Sequence, residues 1–282
     1  MARVLVAGES WITRSTHIKG VDSFTTHSYV TGVGPLRTAL ESRGHEVEHL
    51  PAHLVPSSFP GSLVALGAYD VVILSDIGAN SVQLAPGVFD SGIPGDDRLA
   101  RLTDWVRAGG GLLMVGGYLS FTGFASKAGY RNTVLHEVLP VELLAEDDRV
   151  EMPAGVVPQT FGEAHPVLSG VTGAWPALLG YNRVRLRPDS TLIATVGDDP
   201  LVALAQRGNG RCAVFTSDCG PHWAPESFCE KWDGYAEVFG GLVEWLAEPS
   251  GAQQPPARPD PQPLSKQSIN SSTPTEDFQR TT

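Results

Sequence analysis

The chain has 282 residues, 41% of them hydrophobic, with a formal net charge of −11, which is enough for one large or two small domains around a buried core. An acidic balance without a basic stripe excludes nucleic acid and anionic membrane as partners, since both require clustered Lys and Arg to neutralise phosphates. No apolar run approaches the roughly 20 residues that cross a bilayer, and Cys212, Cys219 and Cys229 lack metal or disulfide spacing, so a cytoplasmic protein with reduced thiols is expected.

Residues 3–8 read as a first buried strand. The polar stretch after them, with Glu9, Trp11, His17, Lys19 and Asp22, reads as a long loop, and loops of that length usually serve function. Residues 34–43 place Leu36, Ala39 and Leu40 at helical spacing and stop at Gly44, and residues 46–50 form a second strand. After a loop at 51–60 and a short helix at 63–66, residues 70–75 are almost continuously Val, Ile and Leu. Continuous apolar strands predict a parallel sheet covered on both faces. Asp76 and Asn80 follow this third strand and open a Pro/Gly-rich loop that runs to Gly95. Residues 97–108 form an amphipathic helix through Leu99, Leu102, Trp105 and Val106, closed by Gly109.

Residues 112–115 are a buried strand that runs into the sharp turn Gly116-Gly117, which presents Tyr118 and Ser120. A short helix is expected at 133–139, ahead of Pro140. Between 141 and 180 the pattern loosens into short strands and turns, an antiparallel excursion. Strands follow at 191–196, 201–206 and 211–217, the last two joined by Gly208-Asn209-Gly210, and a helix at 235–246 ends the domain. From Pro249 onward the composition turns to Pro, Ser, Thr and Gln, so a domain over 1–248 and a disordered tail over 249–282 are expected.

Polar residues gather where strands end. Glu9 and Trp11 follow the first strand, Asp76 and Asn80 the third, Tyr118 and Ser120 the fourth, and Asp218, Cys219, His222 and Trp223 the last. A parallel sheet brings such ends to one edge, where open α/β sheets bind ligands. Taken singly, Asp76, Asn80 and Asp218 equally fit helix caps or turn amides. Cys219 with His222 is the one close thiol–imidazole pair, although a lone Cys at a strand end is more often a small buried hydrophobe. A divalent metal, with His17, Asp22, Asp76, Asp218 and His222 as donors, is a weaker alternative, because these residues lack local ligand spacing. Trp11, Tyr118, Trp223 and Trp232 offer aromatic walls for a flat ligand.

Gly8-Glu-Ser-Trp11, the segments His17 to Phe24, Tyr69 to Asn80 and Gly109 to Phe121, and the motifs Leu139-Pro-Val-Glu142, Asp147-Asp-Arg-Val-Glu151, Leu178-Leu-Gly-Tyr-Asn182 and Ser217 to Pro225 together carry a resemblance. Over about residues 3 to 247 the chain resembles bacterial cytoplasmic proteins of the glutamine amidotransferase-like family, which are related to trehalose-utilisation-type proteins. The resemblance implies a flavodoxin-like, mainly parallel α/β sheet with helices on both faces and an antiparallel extension. Class I amidotransferases carry a nucleophilic Cys at the elbow, with His and Glu partners after a later strand. Here the elbow is Gly116-Gly117-Tyr118, and Asp218 and His222 occupy the loop comparable to the partners.

The expectation is an amidotransferase-like protein without the elbow cysteine, binding or processing a small polar, sugar-derived metabolite. Its ligand site would comprise Glu9, Trp11, His17, Asp76, Asn80, Tyr118, Ser120, Asp218 and His222, with no cofactor; Asp218, His222 and Cys219 are the catalytic candidates. The alternatives are a hydrolase or amidotransferase using Cys219 or a metal-bound water, and a non-catalytic assembly or regulatory module. A homo-oligomer is compatible with all three.

Overall fold

Alternation along the strands sorts the apolar residues into two cores. In β1 (Arg3–Gly8), Val4 and Val6 join one cluster while Leu5 and Ala7 join the other. The same split divides Val71 and Ile73 from Val72 and Leu74, and Leu113 and Val115 from Leu112 and Met114. A sheet buried on both faces follows directly from this period of two. The structure, a computed structural model, describes residues 1–162 and 164–248. The tail expected over 249–282 lies outside the described residues.

In chain order β1 leads into β2 (Ser10–Lys19) and β3 (Asp22–Thr31), then α1 (Gly34–Ser42), β4 (Glu46–Pro51), α2 (Val55–Ser58), α3 (Leu63–Leu66) and β5 (Val71–Ser75). Next come α4 (Ala79–Gln83), α5 (Pro86–Ser91), α6 (Arg98–Ala108) and β6 (Gly111–Val115). Shorter strands follow: β7 (Val141–Leu143), β8 (Arg149–Val156), β9 (Gln159–Thr160), β10 (Leu178–Asn182) and β11 (Val184–Leu186). The domain ends with β12 (Thr191–Val196), β13 (Asp199–Arg207), β14 (Gly210–Phe215), α7 (Glu226–Cys229) and α8 (Gly234–Ala247).

The main sheet has eight strands in the order β4-β1-β5-β6-β14-β13-β12-β9. Its first five are parallel, and β13, β12 and β9 extend it antiparallel beyond β14. The helix α6 covers one face through Leu99, Leu102 and Val106, and α1 with α8 covers the other through Leu36, Leu40, Phe239 and Leu242. The fold is therefore α/β with a mainly parallel sheet, as the pattern predicts.

Four segments differ from expectation. Residues 10–31 form a paired ribbon of two ten-residue strands rather than a loop. Its Thr and aromatic content favours extended structure, and its lack of a buried face hides the usual alternation. The expected loops at 51–60 and 76–95 contain the short helices α2, α4 and α5, two of which start at or next to a proline, where a fixed φ suits the first helical turn. The helix expected at 133–139 is only a 3₁₀ turn over Val134–Glu137.

One buried polar knot ties the antiparallel excursion to the parallel sheet. Asn182 at the end of β10 accepts a hydrogen bond from Gly117 N at 2.9 Å and donates to Asp148 at 2.8 Å, while Asp148 accepts from Thr122 N and Gly123 N. Both side chains are buried. Replacing Asn182 by Ala strands Gly117 N and one lone pair of Asp148, a loss of about 3 kcal/mol. The expected result is a thermal midpoint lower by roughly 6–12 °C in calorimetry, with the far-ultraviolet circular dichroism of the folded state unchanged.

Candidate functional site

Parallel strands in register deliver their carboxyl ends to one edge. There β1 leads into Glu9, β5 into Asp76, β6 into the Gly116-Gly117-Tyr118 elbow and β14 into the loop holding Asp218. Glu9, Trp11, Asp76, Tyr118, Asp218, Gly220, Pro221 and His222 line a single cleft of about 290 Å³. Glu9 and Asp76 both adopt left-handed backbone, with φ of 47° and 42°. For residues other than glycine this costs of order 1 kcal/mol or more, and such strain concentrates at functional sites.

The elbow has no room for a nucleophile. A Cβ at Gly116 would stand 2.2 Å from Thr216 O, and one at Gly117, whose φ is +139°, would stand 2.8 Å from Asp76 Oδ1. The amides that an oxyanion hole would use are also engaged. Gly117 N donates to Asn182, and Leu119 N donates to Asp76 Oδ1 at 2.7 Å. The carboxylate of Asp76 thus lies directly against the elbow.

Behind the cleft lies a compact acidic core. Ser75 Oγ donates to Glu9 Oε2 at 2.5 Å, Cys219 Sγ donates to the same oxygen at 3.4 Å, and Ser75 and Cys219 are themselves 3.3 Å apart. Burial, then the neighbouring Asp218, pushes the Glu9 carboxyl up to about 8, so at neutral pH Glu9 is an uncharged acid. Oε2 takes both of these hydrogen bonds, and Oε1 faces Gly32 and Gly220. Cβ atoms at Gly32 and Gly220 would lie 2.5 and 3.1 Å from Oε1, and glycine at both positions keeps that oxygen uncovered.

Burial and Asp218 also raise Asp76, to about 6, opposed by the Leu119 amide and His222. His222 pairs with Asp218, Nδ1 to Oδ2 at 3.6 Å, and is raised mainly by that contact. Cys219 is fully buried, and desolvation followed by Glu9 and Asp218 holds its thiol well above the ordinary value. It is a hydrogen-bond donor to Glu9, and a thiolate is disfavoured there. The ligand atoms of Glu9, Asp218 and Cys219 lie within 4.8 Å of one another and are the one metal-compatible cluster among the described residues. A cation there would have to displace the protons of both Glu9 and Cys219.

Not every candidate reaches the cleft. His17 sits on the ribbon, stacked on Phe24 at 4.6 Å with Nε2 3.2 Å from Thr26 Oγ1, and Asp22 pairs with Lys19 at the ribbon tip. Neither lines the cleft, because the segment reads out as a ribbon that leaves the sheet edge. Asn80 is exposed on α4. Ser120 is buried behind Asp76, donating no side chain to the cleft but accepting from Asp76 N at 3.2 Å. Trp223 is buried and backs the cleft, 5.6 Å from Tyr118 and 5.4 Å from His222, whereas Trp232 packs on Trp175 and Phe228 elsewhere.

Sequence reasoning missed Glu151 and Arg149 on β8. Glu151 accepts from Tyr118 OH at 2.9 Å and from Trp223 Nε1 at 3.1 Å, and the Arg149 guanidinium lies 5.2 Å from the Tyr118 ring centre. Their i, i+2 spacing in Asp147-Asp-Arg-Val-Glu151 puts both on one face of a strand, a signal available once β8 is recognised as extended.

The sheet, the elbow and the cleft beyond its carboxyl edge define an α/β domain of the class I glutamine amidotransferase-like type whose elbow holds glycine instead of a nucleophile. The chain belongs to the family described as "Putative glutamine amidotransferase", whose model matches residues 3–248. It is similar to the cytoplasmic protein STM3548 from Salmonella typhimurium, with 40% identity over 86% of this chain and 98% of that one and a TM-score of 0.83. The cytoplasmic protein STM1381 from Salmonella typhimurium LT2 matches equally, at 40% identity over 86% and 99% of the two chains and a TM-score of 0.83. A thua-like protein from Parabacteroides merdae ATCC 43184 shares the fold, at 15% identity over 94% and 96% of the chains and a TM-score of 0.50. No curated protein matches the chain.

Two measurements check this geometry. Iodoacetamide on the native protein at neutral pH should leave Cys212, Cys219 and Cys229, all buried, unmodified by mass spectrometry, and should label them only after denaturation. Glu9 keeps its proton up to about pH 8 when folded, but only to the ordinary value of 4.5 when the chain is unfolded. The folded state therefore binds the extra proton between these values, and stability falls as pH rises across that window. Glu9→Gln removes this loss, so its thermal midpoint should overtake that of the wild type as pH rises from 5 to about 8, by roughly 5–10 °C at the upper end.

Proposed function

We propose that the chain binds a hydroxyl-rich metabolite of monosaccharide size in this cleft, and that any chemistry on it proceeds by proton transfer and not through a covalent thioester. The observation that carries this is the convergence, in one small cleft, of an uncharged acid (Glu9), the carboxylates Asp76 and Asp218, the imidazole of His222 and the aromatic side chains Trp11 and Tyr118. Carboxylates accept hydrogen bonds from sugar hydroxyls, and aromatic faces pack on the C–H faces of a pyranose. A neutral carboxylic acid beside an ionised one is the pairing that general acid–base chemistry uses.

The donor set alone points to a sugar, since the thua-like neighbour is similar in fold only. The two Salmonella relatives, described as cytoplasmic proteins, support a cytoplasmic site for that metabolite, and among the described residues no helix is long and apolar enough to cross a membrane. Glutamine hydrolysis is disfavoured by the filled elbow and by the protonated, buried Cys219.

A thermal-shift panel of neutral sugars, sugar acids, amino sugars and free amino acids tests it. One sugar class should raise the midpoint by a few degrees at saturating ligand, and Tyr118→Ala and His222→Ala variants that remain folded should lose that shift. The same ligand should bind best between about pH 6 and about 8, where Asp76 is ionised and Glu9 is protonated. No shift from any sugar, or ammonia released from glutamine by the wild type but not by Cys219→Ser, would overturn the reading.

A further inference from the structure

From Trp11 to Thr31 every residue of the β2–β3 ribbon is exposed. Ile12, Ile18 and Tyr29 share one face with Arg14 and His27, while Trp11, Phe24 and Val30 share the other with His17 and Lys19. Ile18 is 75% exposed and Phe24 50%, so apolar side chains stand in water on both faces. Among the described residues the ribbon touches the body only near its base. Ser10 Oγ accepts from Ala52 N at 2.8 Å, and the Tyr29 ring meets His53 edge-on at 5.3 Å.

A lone two-stranded hairpin is at best marginally stable in water. Both outer edges of this one also present unpaired backbone groups, a template for another chain. Ten residues per strand at about 3.3 Å each extend it about 30 Å, against a radius of gyration of about 18 Å for a body of this size. The ribbon is long enough to cross the face of a second body, and too long to be a turn.

We propose that the ribbon is a clasp that lies across a second copy of this chain. Charge selects that occupant. The ribbon carries Arg14 and Lys19, with His17 and His27, against the single acid Asp22, whereas the whole chain has a formal net charge of −11. The acidic complement to the ribbon is therefore the body of its own chain. An isologous exchange covers both ribbons at once and closes without leaving a free one. The clasp does not depend on what the cleft binds.

Light scattering on the full chain should give twice 30.0 kDa or a higher multiple at micromolar concentration. The paired change Ile12→Asp with Ile18→Asp and, separately, Phe24→Asp should shift the mass toward the monomer. Both sets of residues are exposed in the single chain, so circular dichroism and melting of the body should be unchanged. Limited trypsin digestion adds a local readout: Arg14 and Lys19 should be protected in the wild type and cleaved rapidly in the variants. A monomeric wild type overturns the proposal, as does an oligomer whose mass and trypsin pattern are indifferent to both variants. Protection of the ribbon only in the presence of a different protein overturns it too.

Discussion

Five parallel strands held in register impose the geometry of everything at the sheet edge. Gly8 pairs with Ser75, and Ser75 with Val115, which in turn faces Phe215, so the next residues of four chain segments emerge within reach of one another. The contact is tight enough to dictate residue type. A Cβ at Gly8 would meet Ser75 O at 1.9 Å, and one at Gly116 would meet Thr216 O at 2.2 Å. The turns after β1 and β6 therefore close on bare backbone, and side chains can project only from the next positions, which are Glu9, Asp76, Tyr118 and Asp218.

Crowding of acids follows from that placement. Glu9, Asp76, Asp218 and Cys219 come from three strands and meet without a Lys or Arg among the cleft-lining residues. Burial first, and the neighbouring acids second, then favour retention of protons on the most buried members, Glu9 and Cys219. Ser75 stabilises the arrangement by donating to Glu9, and it fixes which oxygen of Glu9 stays free. The edge that would organise a thiolate in a related enzyme here organises a neutral acid, and His222 is the sole basic side chain among the cleft-lining residues.

Much of this was legible in the residues. Continuous apolar runs at 71–75 and 112–115 read as parallel, doubly covered strands, and glycines punctuate them where the turns are, so the edge and six of its lining residues follow. The ribbon was not legible, because period-two alternation marks a strand only when one face is buried, and both faces here are wet. His17 and Asn80 were misplaced for related reasons: proximity in sequence to a strand end says nothing about where the chain goes after leaving it. Glu151 belongs to an irregular region with a register shift between β8 and β10, and its link to Tyr118 is a contact between segments more than thirty residues apart, which no local pattern encodes.

The elbow keeps its backbone turn but carries glycine at Gly116 and Gly117. In a nucleophile elbow the strained turn exists to lift one reactive side chain above open amides. This chain keeps the turn, with Gly117 at φ +139°, but sets the Asp76 carboxylate from the neighbouring strand against it and commits the amides of Gly117 and Leu119 to Asn182 and Asp76. A side chain at Gly117 would meet the Asp76 carboxylate, with a Cβ 2.8 Å from Oδ1, so a cysteine there would require Asp76 to move. The strain at Glu9 and Asp76 sits at the two strand ends where buried acids crowd the sheet edge, the kind of position at which a fold holds backbone strain that its packing alone does not require.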